Sequence, residues 1–140
     1  MIYIVNGPNL NLLGRREPEK YGKISLAKIN EELSKIALTH NEELQFFQSN
    51  SEGEIIDYLQ SLPNNSKIII NPGALAHTSI ALRDCITAIE AKVVEVHITN
   101  IYAREEFRQH SFISAVSCGV ICGLGVQVYK LALNWFIENK

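Results

Sequence analysis

Five short apolar runs, separated by segments with helical periodicity, constrain the fold of this chain more than any other feature. The runs cover residues 2–5, 44–48, 67–70, 93–98 and 116–122. They show little of the polar–apolar alternation of a half-exposed strand. Strands that are apolar on both faces are typical of parallel sheets covered by helices. The sequence therefore predicts a parallel sheet with helices packed against it.

The segments between these strands carry helix signals. Residues 25–39 have apolar side chains at helical spacing, and Ser25 is placed to cap the helix. Ser51 and Glu54 form a capping box for a helix that ends near Leu62. Helices are also expected at residues 78–90 and after Gly125, and residues 99–112 form a polar loop with one helical turn. The pattern predicts a flavodoxin-like, doubly wound α/β fold, with a five-stranded parallel sheet and helices on both faces, in a single domain of residues 1–140.

The charges and cysteines limit the partners and the compartment. Thirteen basic and 15 acidic residues give a net charge of −2, which argues against a polycationic face for nucleic acid. No apolar run is long enough to span a bilayer, and the first residues lack the features of a signal peptide. Cys85, Cys118 and Cys122 form no CxxC motif, which predicts buried, reduced thiols in a cytoplasmic protein.

The carboxyl ends of the predicted strands, where open parallel sheets bind ligands, collect the candidate functional residues. Arginine, amide, histidine and tyrosine side chains suit an anionic, hydroxyl-rich small molecule and proton transfer. No carboxylate or cysteine cluster accompanies them, so no metal site is expected. Lys67 and Lys92 precede strands and would emerge at the opposite edge, which argues against a Schiff-base lysine. The candidates are Asn6, Asn9, Arg15, Arg16 and Tyr21 after the first strand, Asn71, Gly73 and His77 after the third, and His97, Thr99, Asn100, Arg104 and Arg108 at and after the fourth.

The long connection at residues 6–22 is the most informative of these segments. A connection of this length in a compact domain is usually functional. Guanidinium groups close to a tyrosine favour its phenolate form, and Arg15 and Arg16 lie near Tyr21 in the sequence. The alternative is a solvated, turn-rich loop in which the Tyr21 ring only packs.

Two histidines are candidates for proton transfer or binding. Strand alternation places Glu95 and His97 on the same side, so the carboxylate can orient the imidazole or keep it protonated. His77 precedes a helix whose first N–H groups attract anions. A buried, satisfied His97 and a structural His77 are the alternatives. His40, beside Asn41, is interpreted as a partner of a helix C-terminus.

Three motifs now carry a resemblance that runs along essentially the whole chain. They read GPNLNLLGRREPEKYG, NPGALAHTSIALRD and EVHITNIYAREEFRQHS, in that order. The chain resembles the type II 3-dehydroquinate dehydratases, also called type II dehydroquinases. The resemblance implies a cofactor-independent lyase of the shikimate pathway that converts 3-dehydroquinate to 3-dehydroshikimate by anti elimination through an enolate.

The resemblance also implies a role for each matching residue. Tyr21 would remove the C2 proton, Arg16 would hold Tyr21 as phenolate, and His97 would protonate the departing C1 hydroxyl. Asn9 would order a water at the enolate oxygen. Residues at about 14–24 would close as a lid. The implied binding residues are Asn71, Ile98 and Thr99 for the carboxylate and nearby hydroxyl, and His77, Arg108 and Asp84 for the ring hydroxyls.

The same resemblance implies a homododecamer, a tetramer of trimers, in which Asp84 reaches a neighbouring subunit's site. Two positions depart from the commonest family pattern. Thr99 replaces a frequent serine, and Leu75-Ala76 replaces the more usual Tyr-Thr before His77. The host role could be aromatic biosynthesis or quinate catabolism.

Three other classes of protein compete with this interpretation. A flavin-binding module would use the loop at residues 6–14 as a phosphate cradle, although Pro8 removes an N–H donor there. A phospho-receiver domain would carry acidic residues where this chain has Asn6. A structural scaffold would not explain why arginines, Tyr21 and His97 lie at neighbouring strand ends.

Overall fold

The fold is a five-stranded parallel sheet between two layers of helices, as the apolar runs predict. The computed structural model describes residues 1–140. All neighbouring strands pair in parallel, and their order is β2-β1-β3-β4-β5. The strands are β1 (Ile2–Asn6), β2 (Leu44–Gln48), β3 (Lys67–Asn71), β4 (Lys92–His97) and β5 (Gly119–Cys122).

Five α-helices and five short 3-10 helices connect the strands. The α-helices are α1 (Pro18–Tyr21), α2 (Leu26–Thr39), α3 (Glu52–Gln60), α4 (Ile80–Ala88) and α5 (Gln127–Glu138). The 3-10 helices are Leu10–Leu12, Gly73–His77, Ile101–Ala103, Glu106–Arg108 and Ser114–Val116. None of the helices is long and apolar enough to cross a membrane.

Each face of the sheet has its own apolar core, because successive side chains of a strand point to opposite faces. Ile2 and Ile4 of β1 pack in the core that includes Leu33 of α2 and Leu133 of α5. The intervening β1 side chains, Tyr3 and Val5, lie in the other core together with residues of α3 and α4. The helices therefore cover both faces, which confirms the doubly wound arrangement.

The predicted helix caps are present, with one difference. The Ser25 hydroxyl accepts from the N–H of Lys28 at 3.2 Å, and the Ser51 hydroxyl accepts from the N–H of Glu54 at 3.2 Å. The return half of the capping box is wrong, because the Ser51 N–H donates to the Ser49 hydroxyl at 3.0 Å. Ser49 in turn donates to the Glu54 carboxylate, so its hydroxyl stands between the two predicted partners.

Two element boundaries also differ from the prediction. Helix α4 begins at Ile80 rather than near residue 78, because the Ser79 hydroxyl caps it by accepting from the N–H of Leu82 at 2.9 Å. Strand β5 begins at Gly119 rather than 116, since the preceding residues form a 3-10 turn. The polar loop at residues 99–112 contains two such turns, Ile101–Ala103 and Glu106–Arg108, instead of one.

The prediction of buried thiols holds for one cysteine only. Cys85 is buried in α4, whereas Cys118 is exposed and Cys122 is partly exposed in the single chain. The reason is topological, because β5 is an edge strand and has a neighbouring strand, β4, on one side only.

Candidate active site

The carboxyl ends of β1, β3 and β4 form one edge of the sheet, at the point where the strand order reverses. Asn6 ends β1 and pairs with Asn71, which ends β3. The two segments that follow these strands leave the sheet in close contact, since a Cβ on Gly7 would lie 2.5 Å from the carbonyl oxygen of Pro72. In a doubly wound sheet, this reversal leaves the crevice in which ligands bind.

A pocket of about 620 Å³, including its open mouth, lies at this edge. The structure brings nine of the ten predicted site residues to its wall. Lys67 and Lys92 pair with each other at the start of β3 and β4, at the opposite edge, and no lysine lines the pocket. The lining residues are Pro8, Asn9, Leu10, Arg16, Tyr21, Asn71, Gly73, Ala74, His77, His97, Ile98, Thr99, Ile101, Arg104 and Arg108.

Tyr21 enters the pocket from the last position of the one-turn helix α1. Its ring packs against the core next to α2 and α5, and its hydroxyl oxygen accepts from Nη1 of Arg104 at 2.9 Å. The guanidinium carbons of Arg16 and Arg104 lie 5.0 and 5.6 Å from the ring centroid. Two cations therefore flank the phenol.

The second cation at Tyr21 is not the one that the sequence suggested. Arg15 is exposed on the connection after β1 and does not line the pocket, whereas Arg104 arrives from the segment after β4. Arg104 follows a strand end and was visible as a candidate on that ground, but nothing in the sequence links it to a tyrosine 83 positions away. The site residues selected from the sequence omitted it.

His97, at the end of β4, is held by the carboxylate predicted to lie beside it. Its Nε2 is 2.6 Å from Oε2 of Glu95, and the histidine and glutamate side chains are 6% and 0% exposed. Because Nε2 donates to the carboxylate, Nδ1 is the ring nitrogen left for the pocket. This arrangement fixes the orientation of the ring.

His77, at the end of a 3-10 helix, lies beside His97 with a ring separation of 6.2 Å. Its Nδ1 is 2.8 Å from the carbonyl oxygen of His110, so Nδ1 carries the proton and Nε2 is an acceptor. Burial lowers the pKa of His77 below its ordinary value, and the nearby His97 and Arg108 lower the pKa further. His77 is thus a neutral hydrogen-bonding group at neutral pH.

The strand-end amides and hydroxyl are also fixed by internal contacts. The carboxamide of Asn71 donates to the Tyr129 hydroxyl at 2.9 Å and accepts from the N–H of Gly73 at 3.1 Å, which leaves one amide hydrogen for a ligand. Tyr129 donates onward to Asn6, and burial raises the pKa of this phenol, so it stays protonated. Thr99 accepts from Arg104 at 3.3 Å.

Asn9 reaches the pocket through an unusual backbone conformation. Its φ of 70° lies in the left-handed region that asparagine tolerates better than most residues. Its N–H donates to the side-chain oxygen of Asn50 at 2.9 Å, which anchors this conformation from the end of β2.

Arg108 and Asp84 differ in their relation to the pocket. Arg108 lines it and pairs with Glu105 at 2.8 Å, and hydrogen bonds from the Glu105 backbone and from Arg108 lower the pKa of that carboxyl. Asp84 is exposed on α4 and is absent from the pocket wall. No group of three or more histidine, cysteine, aspartate or glutamate side chains is arranged to hold a metal ion.

Comparison with known proteins identifies the family of this chain. The family model described as dehydroquinase class II matches residues 1–137. The chain belongs to the class II dehydroquinase family. It is 53% identical over 135 residues to a 3-dehydroquinate dehydratase of Idiomarina loihiensis, covering 95% of this chain and 89% of the relative. A 3-dehydroquinate dehydratase 2 of Pseudomonas aeruginosa is 48% identical over 139 residues, with 99% and 94% covered.

Solved structures agree with this membership. The type II dehydroquinase of Propionibacterium acnes superposes with a TM-score of 0.93 at 39% identity, covering 98% of this chain and 95% of that one. The type II dehydroquinase of Butyrivibrio crossotus gives a TM-score of 0.90 at 38% identity, covering 98% and 96%. Membership in this dehydroquinase family favours the enzyme over the flavin-binding, phospho-receiver and scaffold alternatives.

Proposed function

We propose that this chain is a 3-dehydroquinate dehydratase that eliminates water from 3-dehydroquinate to give 3-dehydroshikimate in the shikimate pathway. The observation that carries the proposal is the pairing, in one pocket, of a tyrosine flanked by two arginines with a histidine bonded to a buried carboxylate. A chain of this family with a base and an acid so arranged can perform the elimination with its own side chains.

The base in this proposal is Tyr21. Arg16 and Arg104 favour its phenolate, which takes the C2 proton of the substrate, and the electron pair moves onto the C3 carbonyl to form an enolate. Asn9 orders the water that stabilises the enolate oxygen. A lid at about residues 14–24 carries Arg16 and Tyr21 over the bound substrate.

The acid in this proposal is His97. When the enolate collapses, the C1–C2 double bond forms and the C1 hydroxyl leaves with the proton of the imidazolium as water. Glu95 supports that imidazolium through the 2.6 Å contact with Nε2. The phenol of Tyr21 and the neutral His97 then exchange protons, directly or through solvent, before the next turnover.

The remaining residues bind the substrate in this proposal. Asn71 and the backbone N–H groups of Ile98 and Thr99 hold the carboxylate and the nearby hydroxyl. Neutral His77 accepts a hydrogen bond from a ring hydroxyl, and Arg108 donates to another. Compared with the serine that is frequent at this position, Thr99 keeps the hydroxyl and adds a methyl group.

The assembly and the cellular setting belong to the same proposal. Residues 1–140 form one catalytic domain that works in the cytoplasm, as a homododecamer built as a tetramer of trimers. Asp84 lies on the exposed face of α4, which suits a role in a neighbouring subunit's site. A monomeric variant that retains full substrate affinity would contradict this role for Asp84.

The test of the function is a direct assay. Purified protein is mixed with 3-dehydroquinate, and the ultraviolet absorbance of the conjugated enone is followed with and without prior treatment by borohydride plus substrate. Enone formation that survives borohydride supports enolate chemistry without a Schiff base. Folded protein that forms no enone contradicts the proposed function.

A further inference from the structure

The carboxylate of Glu95 is completely buried and is bound by more than the histidine. Ser111 donates to Oε1 at 2.9 Å, and Ser114 lies 3.1 Å from both carboxylate oxygens. His97 occupies Oε2 at 2.6 Å. Three side chains thus surround one carboxylate that has no access to solvent.

A buried carboxylate in this position needs those donors. Burying a polar group without hydrogen bonds is unfavourable, and the two serines and His97 supply donors to both carboxylate oxygens. Hydrogen bonds from the two serines also fix the plane of the carboxylate, and that plane fixes the direction of the Nε2–H of His97. Loss of a hydroxyl would leave a buried acceptor without its partner, and the carboxylate would turn or recruit water.

We propose that Ser111 and Ser114 are positioning residues for the proton donor of this enzyme: their hydroxyls hold the Glu95 carboxylate in its orientation, and Glu95 holds His97. The inference rests on the proposed function, in which His97 is the acid. Neither serine lines the pocket, so both act only through Glu95.

The position of the serines in the chain strengthens this inference. Both belong to the segment between β4 and β5, which also sends Arg104 to Tyr21 and the carbonyl oxygen of His110 to His77. Ser111 is fixed in turn by accepting from the N–H of Ile113 at 3.1 Å. This one connection therefore controls the surroundings of the tyrosine and of both pocket histidines.

The segment provides a matched control for the test. Ser117 is also partly buried, but its hydroxyl donates to the carbonyl oxygen of Ile113 at 2.9 Å and does not touch Glu95. Replacing Ser111, Ser114 or Ser117 by alanine removes one serine hydroxyl in each case, and only the first two changes reach the carboxylate.

The experiment compares S111A, S114A and S117A with the wild-type protein by steady-state kinetics and by proton NMR. For S111A and S114A, we expect kcat to fall about tenfold, with KM changed by less than about twofold, because the serines affect the acid in the transition state more than substrate binding. S117A keeps the wild-type kcat. Ser114→Thr, which retains the hydroxyl, restores most of the loss seen in S114A.

The NMR measurement tests the inference independently of activity. The ring proton in the short His97–Glu95 hydrogen bond gives a resonance far downfield of the amide protons, and we expect it to move upfield or broaden in S111A and S114A but not in S117A. An unchanged resonance, or a loss of kcat no larger than that of S117A, would overturn the inference.

If S114A does not fold, the S111A variant, which leaves both Ser114 contacts in place, is sufficient for the test. A wild-type protein without dehydratase activity would contradict the proposed function, while the NMR comparison would still test the positioning role.

Discussion

The two sides of the pocket are built differently. Tyr21 stands on a single helical turn in an exposed connection, and its hydroxyl has one hydrogen bond, from Arg104. His97 ends a central strand, is 5% exposed, and is held by a carboxylate that is itself buried. The proposed base therefore stands on an exposed connection, and the proposed acid is held by the core. In the proposed mechanism, closure of the lid at about residues 14–24 brings the base to a preformed acid when substrate binds.

The segment that carries Tyr21 needs a glycine where it begins. Gly14 begins the proposed lid with a φ of 89°, and a Cβ there would lie 3.1 Å from the carbonyl oxygen of Lys23. A residue with a side chain would strain the turn and press against the far end of the same segment. His97 needs no such freedom, because it is the last residue of a regular strand.

The largest effect is expected from Tyr21→Phe, which removes the base and leaves the ring in place. We expect kcat to fall about 100- to 10,000-fold, the usual contribution of a general base. Because the hydroxyl makes one hydrogen bond only, the thermal unfolding temperature should barely change. Tyr102→Phe is the matched control, since Tyr102 is 60% exposed and outside the pocket. An unaffected kcat in Tyr21→Phe would remove Tyr21 from the mechanism.

The next effect concerns Arg104, the candidate that the sequence did not link to Tyr21. Arg104→Gln removes a charged donor to the phenol, and we expect kcat to fall about 10- to 100-fold. Arg15→Gln, on the exposed part of the proposed lid, should leave kcat unchanged. Equal losses in the two variants would mean that the general charge of the region matters rather than the contact with Tyr21.

A change in the buried contacts of Tyr129 should appear as a loss of stability rather than of rate. Tyr129→Phe removes the buried hydroxyl that donates to Asn6 and accepts from Asn71. Buried polar groups that lose a partner destabilise the fold by about 1–3 kcal/mol, so urea unfolding should show a loss of that size. The value of kcat should change far less than in Tyr21→Phe. A large loss of kcat with normal stability would contradict the division between the two sides.

The smallest effect is a pH dependence of stability from His77. Its pKa in the folded chain lies below the ordinary value of 6.5, so the unfolded chain binds this proton more readily. Its contribution to stability is therefore present above about pH 6.5 and is lost as the pH falls through that value toward the lowered pKa. In urea unfolding at pH 5 and pH 7, His77→Gln should lose less stability on acidification than the wild-type chain. Identical losses would show that His77 does not contribute.

The sequence predicted the β4 side of the pocket better than the side that carries Tyr21. Apolar strand runs define the sheet, and the strand period alone places Glu95 beside His97. The strand-end rule brings Asn71, His77 and Thr99 to the same pocket. These inferences need only local periodicity and one property of parallel sheets.

The features that the sequence could not give depend on contacts between distant segments. The hydrogen bond from Arg104 to Tyr21 joins residues 83 positions apart, so Arg15 was the nearer but wrong choice for the second cation. The displaced return bond of the Ser51 cap is a local difference instead: Ser49 is two residues from Ser51 and directly follows β2, which places its hydroxyl between Ser51 and Glu54. The location of Asp84 relative to a pocket depends on a neighbouring chain and stays a prediction.

The central claim is that a base on the lid and an acid on β4 act from opposite faces of the substrate. The most direct test uses two samples of 3-dehydroquinate, each with one deuterium at C2, either anti or syn to the departing C1 hydroxyl. Mass spectrometry of the 3-dehydroshikimate then shows which deuterium is lost. Elimination by Tyr21 and His97 from opposite faces predicts loss of the anti deuterium and retention of the syn deuterium. Loss of the syn deuterium would mean that base and acid share one face, and the assignment of Tyr21 and His97 to opposite sides would be wrong.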